Sequence, residues 1–315
     1  MTEQPLPQNL WDRQKNAGYP VLTLPTGLFA VGIIYNIPEL DGDLNVNADI
    51  LARIQAGSIL RWQHELLVDL NPTLATLSET VKLVTYANGV EHNIHSLYIE
   101  YLSKASPYFN AALQNPNTPW PANVPQVETA DDMATYVANT PYSFGYVDLG
   151  TANRFARKFA RMINAEGILV EMGKIPVNSA AEQAVADDII PLGEESWHGL
   201  SLVNLKGPNT WPITSFAYTL VYQDLSDIRN GGAVIQALLR FVMNENAQER
   251  SIGEGLEPLP KLLTSYNLDT LNLITLAAGA DSELYYKVPL EDPVPNGAVW
   301  PRAGVTVEAS GSSFV

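Results

Sequence analysis

Glu91, His92 and His95 bring a carboxylate and two imidazoles close together in the sequence. Imidazoles at i and i+3 can approach one another, but no third ligand is identifiable and no zinc spacing is complete, so no metal is expected. His64-Glu65 opens like H-E-x-x-H yet has Val68 where the second histidine belongs. Acidic residues are plentiful but never fall in a paired catalytic spacing. No G-x-S-x-G elbow, P-loop or G-x-G-x-x-G follows a strand. The chain is therefore expected to be no enzyme, to carry no catalytic residue and to need no cofactor. What the stretch around Glu91 does suit is anion binding. A strand over 81–84 breaks at the turn-forming Asn88-Gly89 and enters a helix, and a helix N-terminus offers free N–H groups and a positive dipole end.

That helix is legible from its period. Ile94, Leu97, Tyr98, Tyr101 and Leu102 recur on one apolar face, and Pro107 is expected to stop it. Upstream, residues 22–35 form a near-continuous apolar run that reads as a buried strand. Asn47 reads as the cap of a short helix ended by Gly57, and 66–70 as a second helical turn running into Asn71-Pro72. Downstream come a Pro-rich loop over 114–126, a helix over 131–138, a strand over 143–149 and a helix over 151–165. Residues 171–209 read as irregular, with helical signal only around 180–186. A strand over 211–222 precedes an amphipathic helix opened by Gly231-Gly232, with Val234, Ala237, Leu238, Phe241 and Val242 on its apolar face. Residues 261–278 are leucine-rich and partly helical. From 288 onward the chain is Pro- and Gly-rich, like a linker, with a last strand-like run over 305–309. Alternating strands and helices imply an α/β protein.

The 315 residues suffice for two lobes, each with its own core. With 18 Lys+Arg against 34 Asp+Glu the net charge is −16, which disfavours nucleic acid and anionic membrane as partners. The basic residues Arg154, Arg157, Lys158 and Arg161 cluster on the expected 151–165 helix, either as a solvated face or as a patch that docks an acidic surface of a neighbouring copy. No apolar run reaches the roughly 18 residues of a membrane span. The opening MTEQPLPQNLWDRQ has neither the basic nor the apolar region of a signal peptide, and the absence of cysteine excludes disulfides and thiolate chemistry.

In order, four stretches carry a resemblance: PTGLFAVGIIYNIPEL (25–40), GSILRWQHELLVDLNP (57–72), TPYSFGYVDLG (140–150) and WPITSFAYTLVYQD through to LEPLP (211–260). In register, they resemble the phosphate-binding proteins of bacterial ABC importers, the PstS-type substrate-binding proteins. The resemblance implies a two-lobed, type II periplasmic-binding-protein-like fold, each lobe a mixed sheet flanked by helices, with a two-strand hinge near Val84 and Trp211. It divides the chain into lobe 1 (1–84 with 211–290), lobe 2 (85–210) and a terminal segment (291–315). It also implies an extracellular, cell-surface or periplasmic location, with phosphate or another small anion as the solute.

The same resemblance places the ligand residues, and there the chain departs. Where the family's loop reads R-x-D-G-S-G-T, this chain has Tyr86-Ala87-Asn88-Gly89-Val90-Glu91-His92. The turn survives at Asn88 and Gly89, whereas the arginine, serine and threonine positions hold Tyr86, Val90 and His92. Glu91 takes the place of a glycine, and its carboxylate opposes an incoming anion. Glu3 stands for the family's ligand aspartate, and Ser312, Ser313 and Phe314 match its opening ligand loop. That opening loop thus sits at the end of this chain, while the family's opening strand-helix-strand unit is missing from its start. A piece of a tandem array, a circular permutant with a deletion, and strand donation between subunits all fit this order, and self-association or tandem copies are expected. The likeness implies a non-enzymatic module with a degenerate phosphate site; the alternative is a solute-binding protein of altered specificity.

Overall fold

The structure is a computed structural model and describes residues 4–87, 93–112, 124–252 and 255–286. Its first elements are α1 (Gln8–Asn16), β1 (Val21–Asn36), β2 (Asn45–Val46), α2 (Ala48–Gln55), α3 (Glu65–Leu70), β3 (Lys82–Leu83), β4 (Thr85–Tyr86), α4 (Asn93–Ala105) and α5 (Pro107–Ala112). There follow β5 (Gln126–Val127), α6 (Ala130–Asn139), β6 (Ser143–Asp148), α7 (Leu149–Arg154), β7 (Arg161–Ile163), β8 (Leu169–Val170) and α8 (Lys174–Ala186). The last are β9 (Thr214–Tyr222), α9 (Asn230–Val242), α10 (Glu245–Ser251) and α11 (Lys261–Leu271).

β1 is the spine, because an apolar run of this length stays out of water only if both of its faces are covered. It lies between β9 and β6 in a four-stranded sheet ordered β3-β6-β1-β9. Residues 21–30 pair antiparallel with β9, and residues 31–36 pair antiparallel with β6. Trp211 fastens the crossover point: its Nε1 donates to Val31 O at 2.8 Å and its backbone N to Pro176 O at 2.8 Å, and its ring is fully buried. A second sheet, ordered β2-β7-β8, packs beside the first, and β4 pairs with β5.

The edge of β1 away from β9 is closed locally. Leu28 exchanges both of its backbone hydrogen bonds with Glu257, so its polar groups face away from β9. Thr23 N donates to Gly193 O, while the Asn267 and Gln248 side chains donate to the carbonyls of Pro25 and Thr26. Glu257 is nearly buried here, and one of its carboxylate oxygens has no partner among the described residues. Burial raises its folded pKa, with Lys174 opposing the rise. A raised carboxyl costs nothing below its unfolded pKa and penalises the fold as pH climbs through the folded value. Glu257→Gln is therefore expected to raise the melting temperature at pH 7 and to leave it unchanged at pH 4. An equal shift at both pH values would contradict this.

Several local expectations hold. The α4 face is the predicted one, with Ile94, Leu97, Tyr98, Tyr101 and Leu102 buried. Asn47 caps α2, its Oδ1 accepting from Ile50 N at 2.9 Å, and Gly57 follows the helix at φ +70°. Pro107 ends α4 and also opens α5, where its missing N–H costs nothing.

Others are corrected. The helix expected over 151–165 ends at Arg154. Ala156 turns the chain at φ +50°, and Phe159 bridges to Ile34 of β1 over Gly32, where an added Cβ would lie 2.4 Å from the Phe159 ring. The basic residues consequently share no helix face: Arg154 pairs with Asp131 at 2.6 Å, while Lys158 and Arg161 both approach Asp43. Residues 174–186 form a full helix. In α9 the buried residues are Gly232, Ala233, Gln236, Ala237 and Leu239, leaving Val234, Leu238 and Phe241 exposed. Small residues win that face because Gly232 meets Leu225 closely, and the Gln236 amide donates to the buried Leu271 carbonyl at 2.7 Å.

Candidate functional site

β4 ends at Tyr86 and α4 starts at Asn93, so the strand and helix that frame the expected anion site are both present. The carried-over residues Glu3, Asn88, Gly89, Glu91, His92, Ser312, Ser313 and Phe314, together with Val90, lie outside the described residues. The structure does show the framework behind them. Gln4, next to Glu3, reaches Asn93 at the first position of α4, with its Nε2 3.5 Å from Asn93 Oδ1.

Tyr86, which the resemblance aligns with the family's arginine, is buried. Its phenol donates to the Tyr146 carbonyl at 3.2 Å, and its ring meets Tyr146 edge-on at 5.5 Å. Tyr146 is the centre of the cluster. Its Oη lies 2.7 Å from His95 Nδ1 and 3.0 Å from Thr85 Oγ1, and its ring stacks on Tyr98 at 4.0 Å. A phenol has one proton to donate and two lone pairs, so both contacts are satisfied if one is donated and the other accepted. Alternation along β6 points Tyr146 inward, and the i, i+3 spacing on α4 brings His95 and Tyr98 over it.

The phenols of the cluster are uncharged. Burial raises the phenols of Tyr86, Tyr98 and Tyr146 above their ordinary range. Beyond burial, the neighbouring Tyr146 and then the carboxylates of Asp148 and Asp131 push Tyr86 further up. Asp148 is engaged as the cap of α7, accepting from Thr151 N at 2.9 Å and from its hydroxyl at 2.6 Å. Uncharged donors can orient an anion but cannot neutralise it, whereas a guanidinium does both.

The histidines are also clearer. His95 is half-buried and bonded to Tyr146, not a solvated residue on an outer face. His64, left over from the broken H-E-x-x-H pattern, caps α3 by accepting from Leu66 N at 3.3 Å. Among the described residues no group of three or more His, Asp or Glu could hold a metal ion. Sequence reasoning missed Tyr146, Thr85 and Asp148 as neighbours of this position. Their inward alternation was visible, but their pairing with α4 depends on a sheet register that no local pattern specifies.

No family model matches the chain. It is 24% identical over 288 residues to the phosphate-binding protein PstS of Methanocaldococcus jannaschii, covering 87% of this chain and 72% of that one. It is 25% identical over 210 residues to PstS of Haemophilus influenzae, covering 64% and 59%. It is also 24% identical over 304 residues to a putative serine/threonine-protein kinase/receptor of Acanthamoeba polyphaga mimivirus, R826. That match covers 90% of this chain but only 18% of the viral protein. Among solved structures, a phosphate-binding protein from Stenotrophomonas maltophilia superposes with a TM-score of 0.57 at 13% identity, covering 85% and 78%. A periplasmic phosphate-binding protein bound with phosphate, PfluDING, gives 0.56 at 14% identity, covering 84% and 76%. The chain is PstS-like in sequence and has the two-lobed fold of these binding proteins.

Proposed function

We propose that this chain is a PstS-like module whose phosphate grip has been replaced, and that it serves as a structural or interaction unit of a larger surface or extracellular assembly, without catalysis. One observation carries the reading. The position that holds an arginine in the family is filled by Tyr86, buried, uncharged and engaged with the Tyr146 carbonyl. Removing a bidentate guanidinium removes the contact best matched to a phosphate. The match to 18% of a long mimivirus protein supports the view that this fold also occurs as one unit of a larger chain. The location follows the periplasmic setting named for PfluDING; among the described residues no helix is long and apolar enough to cross a membrane.

In the same proposal, residues 1–84 with 211–290 form one lobe and 85–210 the other. β1 then belongs to the first lobe, bonded along residues 21–30 to β9 of that lobe and along 31–36 to β6 of the other. Copies associate head to tail, the terminal segment of one adding a strand to the next.

A second reading has an observation of its own. Thr85, His95 and Tyr146 form a hydroxyl–imidazole chain at the head of α4, which suits a polar solute better than a phosphate. Isothermal calorimetry with sulfate and a panel of neutral and zwitterionic polar solutes separates the two. The interaction-unit reading predicts dilution heats throughout, and one saturable micromolar isotherm would replace it with the second.

A further inference from the structure

Three candidates stand outside the described site: the exposed stripe of α9, a cleft between α8 and α11 carrying both lysines and glutamates, and the groove beside β8. The groove carries an argument furthest, because it offers main-chain groups as well as apolar surface.

β8 is the edge strand of the β2-β7-β8 sheet. Its register pairs Met162 with Val170 and Ile163 with Leu169, and Asn164 N donates to Ile168 O at 2.9 Å. In an antiparallel ladder, bonded and non-bonded pairs alternate. With residue 168 bonded inward, the N–H and C=O of Leu169 face away from β7, and those of Glu171 follow two residues on. No backbone partner reaches them among the described residues. A groove of about 490 Å³ runs along this edge, lined by Ile168, Leu169, Glu171, Lys174, Ile175 and Asn209. Three of its apolar side chains, those of Ile168, Leu169 and Ile175, are exposed to solvent, Ile175 at 71%. Unpaired main-chain groups beside an apolar trough are what an added strand requires.

We propose that this edge accepts residues 304–308, Gly-Val-Thr-Val-Glu, from a second copy of the chain, a site that rests on the interaction-unit reading above. Val305 and Val307 alternate with Thr306 and Glu308, so an extended backbone puts both valines on one face. Valine and threonine favour that conformation. Charges match as well: the groove carries Glu171 and Lys174, and the segment ends in Glu308 and is preceded by Arg302. Groove and donor are different surfaces, so the contact is heterologous and propagates instead of closing into a dimer. Each copy carries a net charge of −16, so screening by salt strengthens the contact.

Sedimentation of the full chain tests this. The weight-average mass should rise reversibly with concentration, more at about 150 mM than at about 10 mM salt. Leu169→Asp and the double change Val305→Asp/Val307→Asp should each hold the chain at monomer mass. Mixed, the two variants retain one intact groove and one intact donor, so they should form a 1:1 dimer and nothing larger. Circular dichroism of each variant checks that it is folded; if Leu169→Asp unfolds the chain, Ile175→Asp takes its place. A monomeric wild type overturns the proposal, as does association that survives either change, or a mixture that fails to dimerise. Phosphate titration is unaffected by any of these outcomes, so the two readings fail separately.

Discussion

Trp211→Ala is expected to destabilise the fold by about 3–5 kcal/mol, the usual cost of truncating a large buried aromatic. The indole has no exposed surface, and its Nε1 holds the Val31 carbonyl at the point where β1 passes from β9 to β6. Truncation leaves a cavity beside the strand that carries both pairings and orphans a buried acceptor, itself a cost of about 1–3 kcal/mol. Trp211→Phe separates these contributions, since it keeps most of the apolar volume and loses only the bond. Chemical denaturation of both variants gives the comparison. If phenylalanine proves as damaging as alanine, the bond to Val31 outweighs the packing.

Tyr146→Ala should cost about as much, roughly 3–5 kcal/mol, because one ring supports Tyr86, His95 and Tyr98 at once. Tyr146→Phe keeps the stack on Tyr98 and strips the hydroxyl that Thr85 and His95 share, for about 1–3 kcal/mol. Adding Thr85→Val to Tyr146→Phe then removes the orphaned hydroxyl. The double variant should be less destabilised than the sum of the two single changes, a coupling of about 0.5–3 kcal/mol for residues in contact. Strict additivity would show that the two hydroxyls do not interact.

Where a segment buries one face against one neighbour, its period in the sequence was sufficient. The α4 stripe is of this kind; the Asn47 cap and the long apolar β1, buried on both faces, were legible from residue type alone, and the structure reproduces each. The 151–165 segment failed for a definite reason. Phe155, Phe159, Met162 and Ile163 happen to fit a helical period, but they serve a turn at Ala156, a bridge to Ile34 and the short β7. In α9 hydrophobicity misled about the face, because close approach to Leu225 requires glycine at 232 and so turns Val234, Leu238 and Phe241 outward. At the candidate site the resemblance pointed to ligand types that the proposal takes as lost. It did not show what replaced them, since the cluster joins Thr85 and His95 to Tyr146, some fifty to sixty residues away.

The central claim is that a PstS-like scaffold persists here without its phosphate grip. Titrating inorganic phosphate into the full chain in a calorimeter at neutral pH tests it most directly. Only dilution heats up to millimolar phosphate are predicted. A saturable one-site isotherm with a micromolar or tighter dissociation constant would contradict the account, because the buried phenol of Tyr86, bordered by Asp148 and Asp131, supplies no positive charge where the proposal sets it in place of the family's arginine.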